Sequence, residues 1–224
     1  MSGDELQFLS DRAPDYRIEL SQHHLSLFRI YLDELWEWNQ RINLTGLSTR
    51  DSIVIDLFLD SLIPAPLLPR KGRMLDVGSG AGFPGLPLKI YNPLLKTHLL
   101  EANSKKVSFL KQVIRLLGLN EIEVIKGRIE ADAHTLEGHT LYHTGYHLIT
   151  ARALADLSQT LAWCAPFLFP GGLLVGFLGS RAEDDIKKSQ RIMEEHSLVL
   201  FKMIPYILPG KSYKRNTVIF KKTA

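Results

Sequence analysis

The chain has 224 residues, enough to bury a core without disulfide or metal staples, and its length suits one domain with an appendage. Hydrophobic residues make up 45% and charged residues 23%, which excludes a disordered chain, and a single cysteine, Cys164, excludes a disulfide framework or a thiolate zinc cage. The net charge of +3 hides an asymmetry: residues 1–60 carry 5 basic and 11 acidic side chains, residues 61–224 carry 22 and 13, and no acidic residue follows Glu195. A basic body favours a polyanionic partner such as nucleic acid. No apolar run reaches ~18 residues and the start, Met1 to Glu5, is acidic, so no membrane span or signal peptide is expected, and a cytoplasmic protein is.

The first ~60 residues read as helical. Ser2 and Glu5 have capping-box spacing, and Pro14 breaks the segment they open. From about Ser21, the stripe Leu25, Phe28, Leu32, Leu35 and Trp36 marks a longer helix that ends in Asn39 to Thr45. A further helix is expected over Ile53 to Ile63, stopped by Pro64, Pro66 and Pro69. Residues 1–69 thus form a helical appendage to residues 70–224.

After Pro69, short apolar runs alternate with helical segments. Strands are predicted at Arg73–Val77, His98–Glu101, Glu123–Lys126, Tyr146–Thr150, Leu173–Leu178, Leu198–Met203 and Thr217–Phe220. Between them fall helices at Leu86–Tyr91, Ser104–Leu117, Leu154–Ala165 and Glu183–Glu195, with a turn at Pro170-Gly171-Gly172. Uniformly apolar strands alternating with helices predict an α/β fold: an open, mainly parallel seven-stranded sheet covered on both faces. The last two strands, linked through Pro205 and Pro209-Gly210, form a candidate antiparallel pair.

The strongest local signal is Asp76-Val77-Gly78-Ser79-Gly80-Ala81-Gly82-Phe83-Pro84-Gly85, between a predicted strand and a predicted helix. Glu101 follows Gly78 by 23 residues at the end of the second strand, where an acid can accept hydrogen bonds from ribose hydroxyls. The glycines run G-x-G-x-G, unlike the dinucleotide fingerprint, and no Lys-Ser/Thr pair follows to cradle phosphate. Pro84 and Pro87 remove amides that a pyrophosphate would use, and Asp76 beside the loop adds negative charge. An adenosyl group carrying a cationic sulfonium fits better, so S-adenosylmethionine is the expected cofactor.

Gly78 to Pro87 (GSGAGFPGLP) follows Asn43-Leu44-Thr45 and Leu59-Asp60-Ser61. It precedes Leu100-Glu101, Lys105 to Leu110 (KKVSFL), Gly127-Arg128-Ile129-Glu130 and Ala151-Arg152-Ala153. In this order the motifs resemble the glucose-inhibited division protein B family, the small-subunit ribosomal RNA guanine-N7 methyltransferases. The likeness runs from about Ile18 to Lys222. It implies a Rossmann-like methyltransferase fold and methyl transfer to guanine N7 in 16S rRNA near the decoding region. Free rRNA or the small subunit is the implied partner, and a monomer the expected state. By this resemblance Gly78, Gly80, Gly82 and Phe83 line the methionine and ribose side of the cofactor. Glu101 holds the ribose, and Ile129 and Glu130 meet the adenine. Arg152 and Asn43 stand at the cofactor and target face, and Arg215 contacts RNA or the target base. The family usually has His where Leu57 stands, so no role for that His is carried over, and the segment between Glu130 and Tyr146 is longer than expected.

Guanine N7 is an in-plane lone pair without a proton, so direct attack on the sulfonium methyl needs no general base. A cation on N7 would oppose the charge that develops there, which places Arg152 or Arg215 better on O6 or a phosphate. Lys105, Lys106, Lys111 and Arg115, with Lys211, Lys214 and Arg215, are the candidate RNA-binding residues. Tyr213 either stacks on an unpaired base or packs on the sheet. His139, His143 and His147 stand at four-residue spacing, but flanking Gly138 and Gly145 argue against a helix there, and no metal site is expected. His23-His24 reads as helix surface and Cys164 as packed and inert. Competing readings are a methyltransferase of the same fold acting on tRNA or protein, a non-catalytic RNA-binding module, and a NAD-dependent oxidoreductase.

Overall fold

The computed structural model describes residues 5–129 and 145–224. The predicted N-cap Ser2, together with His139 and His143, lies outside the described residues. Helices α1 (Glu5–Arg12) and α2 (Gln22–Asn39) open the chain. Ser21 caps α2: its Oγ accepts from His24 N while His24 Nδ1 accepts from Ser21 N, both at 3.2 Å. His24 is therefore half of a capping box, which corrects its reading as plain helix surface.

The next predicted helix is present but broken. It runs as α3 (Arg50–Ile53), a π-helical turn (Val54–Leu59) and α4 (Asp60–Leu62). The Asp60 N–H bonds to the carbonyls of Ile55 and Leu57. It passes over the Asp56 carbonyl, which a regular helix would have used.

Strands β1 (Gly72–Val77), β2 (Leu95–Glu101), β3 (Ile122–Lys126), β4 (Tyr146–Arg152), β5 (Leu168–Leu178), β6 (Leu198–Tyr206) and β7 (Arg215–Lys222) form one sheet. Its seven strands lie in the order β3-β2-β1-β4-β5-β7-β6. Neighbours among β1 to β5 pair in parallel, while β7 pairs antiparallel with β5 and with β6. The crossover helices are α5 (Gly85–Tyr91), α6 (Ser104–Leu116) and α7 (Leu157–Cys164), and α8 (Ala182–Lys188) and α9 (Gln190–Glu195) follow β5. Met74, Leu148, Val175 and Ile219 point to one face, and Leu75, Ile149, Leu174 and Phe220 to the other; all eight are fully buried. Burial on both faces is why the strands read as continuous apolar runs.

Three local expectations are corrected. The helix predicted over Glu183 to Glu195 is divided at Ser189. That side chain is buried and turned inward, with Oγ donating to Asp185 O at 2.8 Å and lying 2.9 Å from Ser158 Oγ. Strand β5 starts at Leu168, so Pro170-Gly171-Gly172 lies inside it, at a register shift opposite Tyr146 to Leu148. Pro205 belongs to β6, and its missing N–H is tolerated because β6 is an edge strand.

The N-terminal helices share their core with the sheet. Leu9, Phe28, Tyr31 and Leu35 sit in one apolar cluster with Phe58, Phe83, Leu86, Leu99 and Phe109. Tyr31 is its hub. Its ring stacks on Phe83 at 5.3 Å, meets Phe58 edge-on at 5.0 Å, and its hydroxyl donates to the Ala81 carbonyl. That contact seats the glycine loop against α2.

Candidate active site

The strand order reverses between β1 and β4, each going to an opposite side of the sheet, and a crevice opens there at the strands' carboxyl ends. After Val77 the chain turns with positive φ at Gly78 (69°), Gly80 (58°) and Gly82 (100°). The amides of Gly78 and Ser79 both donate to Leu100 O, at 2.9 and 3.0 Å, which ties the loop to the end of β2. Gly82 has no room for a side chain: a Cβ there would stand 2.5 Å from Leu86 Cδ1 and from Tyr31 Oη.

Asp76 is fully buried, with Oδ1 accepting from Thr150 Oγ1 at 2.7 Å and Oδ2 from Gly85 N at 3.2 Å. Burial pushes its carboxyl up to about 6, against hydrogen bonds from Thr150, Ser79 and Gly85 that favour the charged form. This carboxylate fastens β1 to β4 and to the start of α5. It lines neither cavity of the crevice, so its expected role of repelling phosphate from the loop is replaced by a structural one.

The first cavity has a volume of about 220 Å³ and is lined by Gly78, Glu101, Ile129, Leu154 and Trp163 among others. Glu101 is 8% exposed; its Oε2 accepts from Gly80 N at 2.8 Å and its Oε1 from Asn103 N at 2.7 Å. A carboxylate has about four acceptor positions, so two remain for a ligand's hydroxyls. The second cavity is a wider cleft of about 540 Å³ that shares Gly78 with the first. Gly80, Phe83, Leu44 to Leu47, Asp56, Lys106, Arg152, Lys211, Tyr213 and Arg215 line it. Phe83 is 6% exposed, stacked on Tyr31 and edge-on to Phe58.

One wall of the cleft is an ion network. Arg215 Nη2 donates to Asp56 Oδ1 at 2.7 Å and Nη1 lies 3.0 Å from Asp60 Oδ1. Lys211 Nζ reaches Asp56 Oδ2 at 2.7 Å. Arg152 Nη2 pairs with Asp60 Oδ2 at 2.9 Å and donates to the Asp56 carbonyl at 2.5 Å, the carbonyl that the π-helical turn leaves available. Tyr206 Oη donates to Asp60 Oδ1 at 2.7 Å. Burial alone would lower the Arg215 pKa, but Asp60 and the bond to Tyr213 raise it above the usual guanidinium range. Arg152 Nη1 is buried and has no hydrogen-bond partner among the described residues.

The structure thus gathers Gly78, Gly80, Phe83, Glu101, Ile129, Lys106, Arg152, Lys211 and Arg215 around one crevice, while Gly82 packs behind the loop. Asn43 is exposed and lies outside the residues lining the cleft; its neighbours Leu44 to Leu47 form that edge. The residue that organises this turn is Asn39, whose Oδ1 accepts from Leu44 N at 3.0 Å and Thr45 N at 2.8 Å. Lys105 and Lys214 are exposed, and Lys111 and Arg115 line a separate groove between α6 and β3. Tyr213 is 49% exposed in the loop before β7, with its ring 5.3 Å from the Arg215 guanidinium, so it is not packed on the sheet. Glu130 lies outside the described residues. Asp60 falls in the Leu59-Asp60-Ser61 motif without a role assigned to it, and no motif singles out Asp56. The signal for them is two acids four apart in the apolar run Val54 to Leu62, which require buried cations.

Comparison with known proteins decides the family. A family model described as rRNA small subunit methyltransferase G matches residues 24–207. The chain belongs to this family. The chain is 35% identical to the Ribosomal RNA small subunit methyltransferase G of Thermoanaerobacter sp. (strain X514), covering 99% of this chain and 92% of that protein. It is 36% identical to the protein of the same name from Chloroflexus aggregans, covering 100% and 92%. Among solved structures, a predicted O-methyltransferase from Agrobacterium tumefaciens matches with a TM-score of 0.61 at 17% identity, covering 74% of this chain and 81% of that one. That likeness concerns the fold. The family makes this chain a methyltransferase. In its sheet β7 and β6 are the antiparallel departure from otherwise parallel strands. No helix among the described residues is long and apolar enough to cross a membrane.

Proposed function

We propose that this methyltransferase G family member transfers the methyl group of S-adenosylmethionine to N7 of a guanine in 16S rRNA, acting as a cytoplasmic monomer. The observation that carries the reading is the shared wall at Gly78: a small, partly apolar cavity with a buried carboxylate adjoins a wide cleft lined by cations. The apolar side chains Ile129, Leu154 and Trp163 suit a purine, and the remaining acceptor positions of Glu101 suit a ribose diol. Gly78 and Gly80 bring backbone close to the ligand. When bound, S-adenosylmethionine supplies an electrophilic methyl on a cationic sulfur.

Neither His nor Cys lines the cleft among the described residues, which accords with a nucleophile that carries no proton. The chain's task is then to hold the guanine in line and to manage charge. Arg152 lines the cleft, and its Nη1, buried and without a partner among the described residues, becomes a donor for guanine O6 when the guanidinium turns toward the cleft. Arg215 braces Arg152 through their shared partner Asp60. Tyr213 offers an exposed ring on which a base can stack. Lys105, Lys106, Lys111, Arg115 and Lys214 form a basic approach for phosphates.

The test is transfer of labelled methyl from S-adenosylmethionine to separated 16S rRNA, bulk tRNA and ribosomal proteins. Label in 16S rRNA, recovered as 7-methylguanosine, is the expected result. Label confined to tRNA or protein would replace the substrate, and tight binding of NAD without transfer would replace the reaction class.

A further inference from the structure

Asp56 is the one acidic residue lining the cleft among the described residues, facing four cations: Lys106, Arg152, Lys211 and Arg215. Its side chain is 7% exposed, and each oxygen takes one of those cations at 2.7 Å, Oδ1 from Arg215 and Oδ2 from Lys211. The two pairs differ in kind. Arg215 is 19% exposed and has a second, buried partner in Asp60, whereas Lys211 is 27% exposed and has Asp56 alone as its ion-pair partner among the described residues. Lys211 sits in the loop between β6 and β7, so this pair also straps that loop to the π-helical turn of the N-terminal helices.

We propose that Asp56 is a positioning residue that sets the charge of the cleft wall, holding Lys211 away from RNA phosphate and keeping its positive charge neutralised beside the target base. The inference rests on the functional reading above. In that reaction positive charge passes onto the purine, so an uncompensated ammonium on the wall opposes the step even as it strengthens RNA binding. Removing the Asp56 charge therefore moves affinity and turnover in opposite directions. A side chain that merely supported the fold would weaken both.

The experiment compares the parent, Asp56→Asn and the double variant Asp56→Asn with Lys211→Met. The measurements are binding of a 16S rRNA transcript over a salt series, thermal melting, and single-turnover methyl transfer. For Asp56→Asn the expected result is a salt slope steeper by about 0.7–0.9, the increment for one added phosphate contact. Its rRNA affinity at low salt equals or exceeds the parent's, and its transfer rate falls at least tenfold. The double variant returns the slope to the parent's and restores the rate to within threefold. An unchanged slope, an unchanged rate, or a rate loss that persists in the double variant would overturn the proposal. If Asp56→Asn alone does not fold, the double variant decides: near-parent transfer supports the role and a tenfold loss overturns it. A parent that does not methylate 16S rRNA would count against the functional reading, while the slopes still decide whether Asp56 masks Lys211.

Discussion

Arg215 and Asp56 lie 159 positions apart and meet at 2.7 Å, because β7 runs antiparallel to β5. That reversal brings the first residue of β7 to the edge where the parallel strands end, and Tyr206, at the end of β6, stands opposite Arg215 in register. The antiparallel strands thus deliver side chains to a crevice formed by parallel ones. Asp60, 1% exposed, is the shared acceptor of Arg215, Arg152 and Tyr206. Replacing Asp60 by Ala leaves Arg152 without its counter-charge and Arg215 with Asp56 alone, a change that costs about 3–5 kcal/mol. Urea unfolding of Asp60→Ala should show a loss of that order. Arg191→Ala, which breaks the exposed pair with Glu195, should leave the midpoint unchanged.

Glu101→Gln keeps the side chain's shape but turns one of its two acceptor groups into a donor facing a backbone amide. Affinity for S-adenosylmethionine by calorimetry should fall about ten- to a hundredfold, the value of one charged hydrogen bond. Unchanged affinity would remove Glu101 from the cofactor site.

The glycines of the loop are not equivalent. Gly82→Ala forces a Cβ to 2.5 Å from both Leu86 and Tyr31 at a φ of 100°, so its melting temperature should fall by several degrees, with weaker cofactor binding. At Gly46, which borders the same cleft, a Cβ would meet nothing within 4 Å and φ is ordinary. Gly46→Ala should leave the melting temperature unchanged.

Asp76 gives a pH dependence with a definite sign. Its folded carboxyl is pushed from the ordinary 3.8 up to about 6, so the folded chain holds a proton that the unfolded chain has released between those values. Stability from this group is greatest below about pH 4, and is lost as pH rises to about 6. Asp76→Asn removes the titration. The parent's melting temperature should therefore decline relative to the variant's across that window, and the difference should be flat above it. A difference that moves in the parent's favour would contradict the assigned burial of the charge.

The strands were legible because a doubly covered parallel sheet writes each strand as an apolar run, and Glu101 because spacing from the glycine loop marks the end of β2. What stayed hidden depends on contacts that no local pattern carries. Ser189 ends a helix because its hydroxyl is buried against Ser158 across a helix pair. Asn39 and Asn43 flank one turn with equal turn propensity, and only the fold shows that Asn39 makes its hydrogen bonds while Asn43 faces solvent. The apolar run around Asp56 and Asp60 signals their burial, but their partners Arg152, Lys211 and Arg215 arrive from distant strands and loops that no local pattern names.

The most direct test of the central claim is nucleoside mass spectrometry of 16S rRNA from cells with and without the gene. Loss of one 7-methylguanosine on deletion, restored by the parent and not by Gly80→Asp, is the predicted result, since Gly80 holds a φ of 58° beside Glu101. An unchanged 16S rRNA methylation profile would contradict the assignment of substrate.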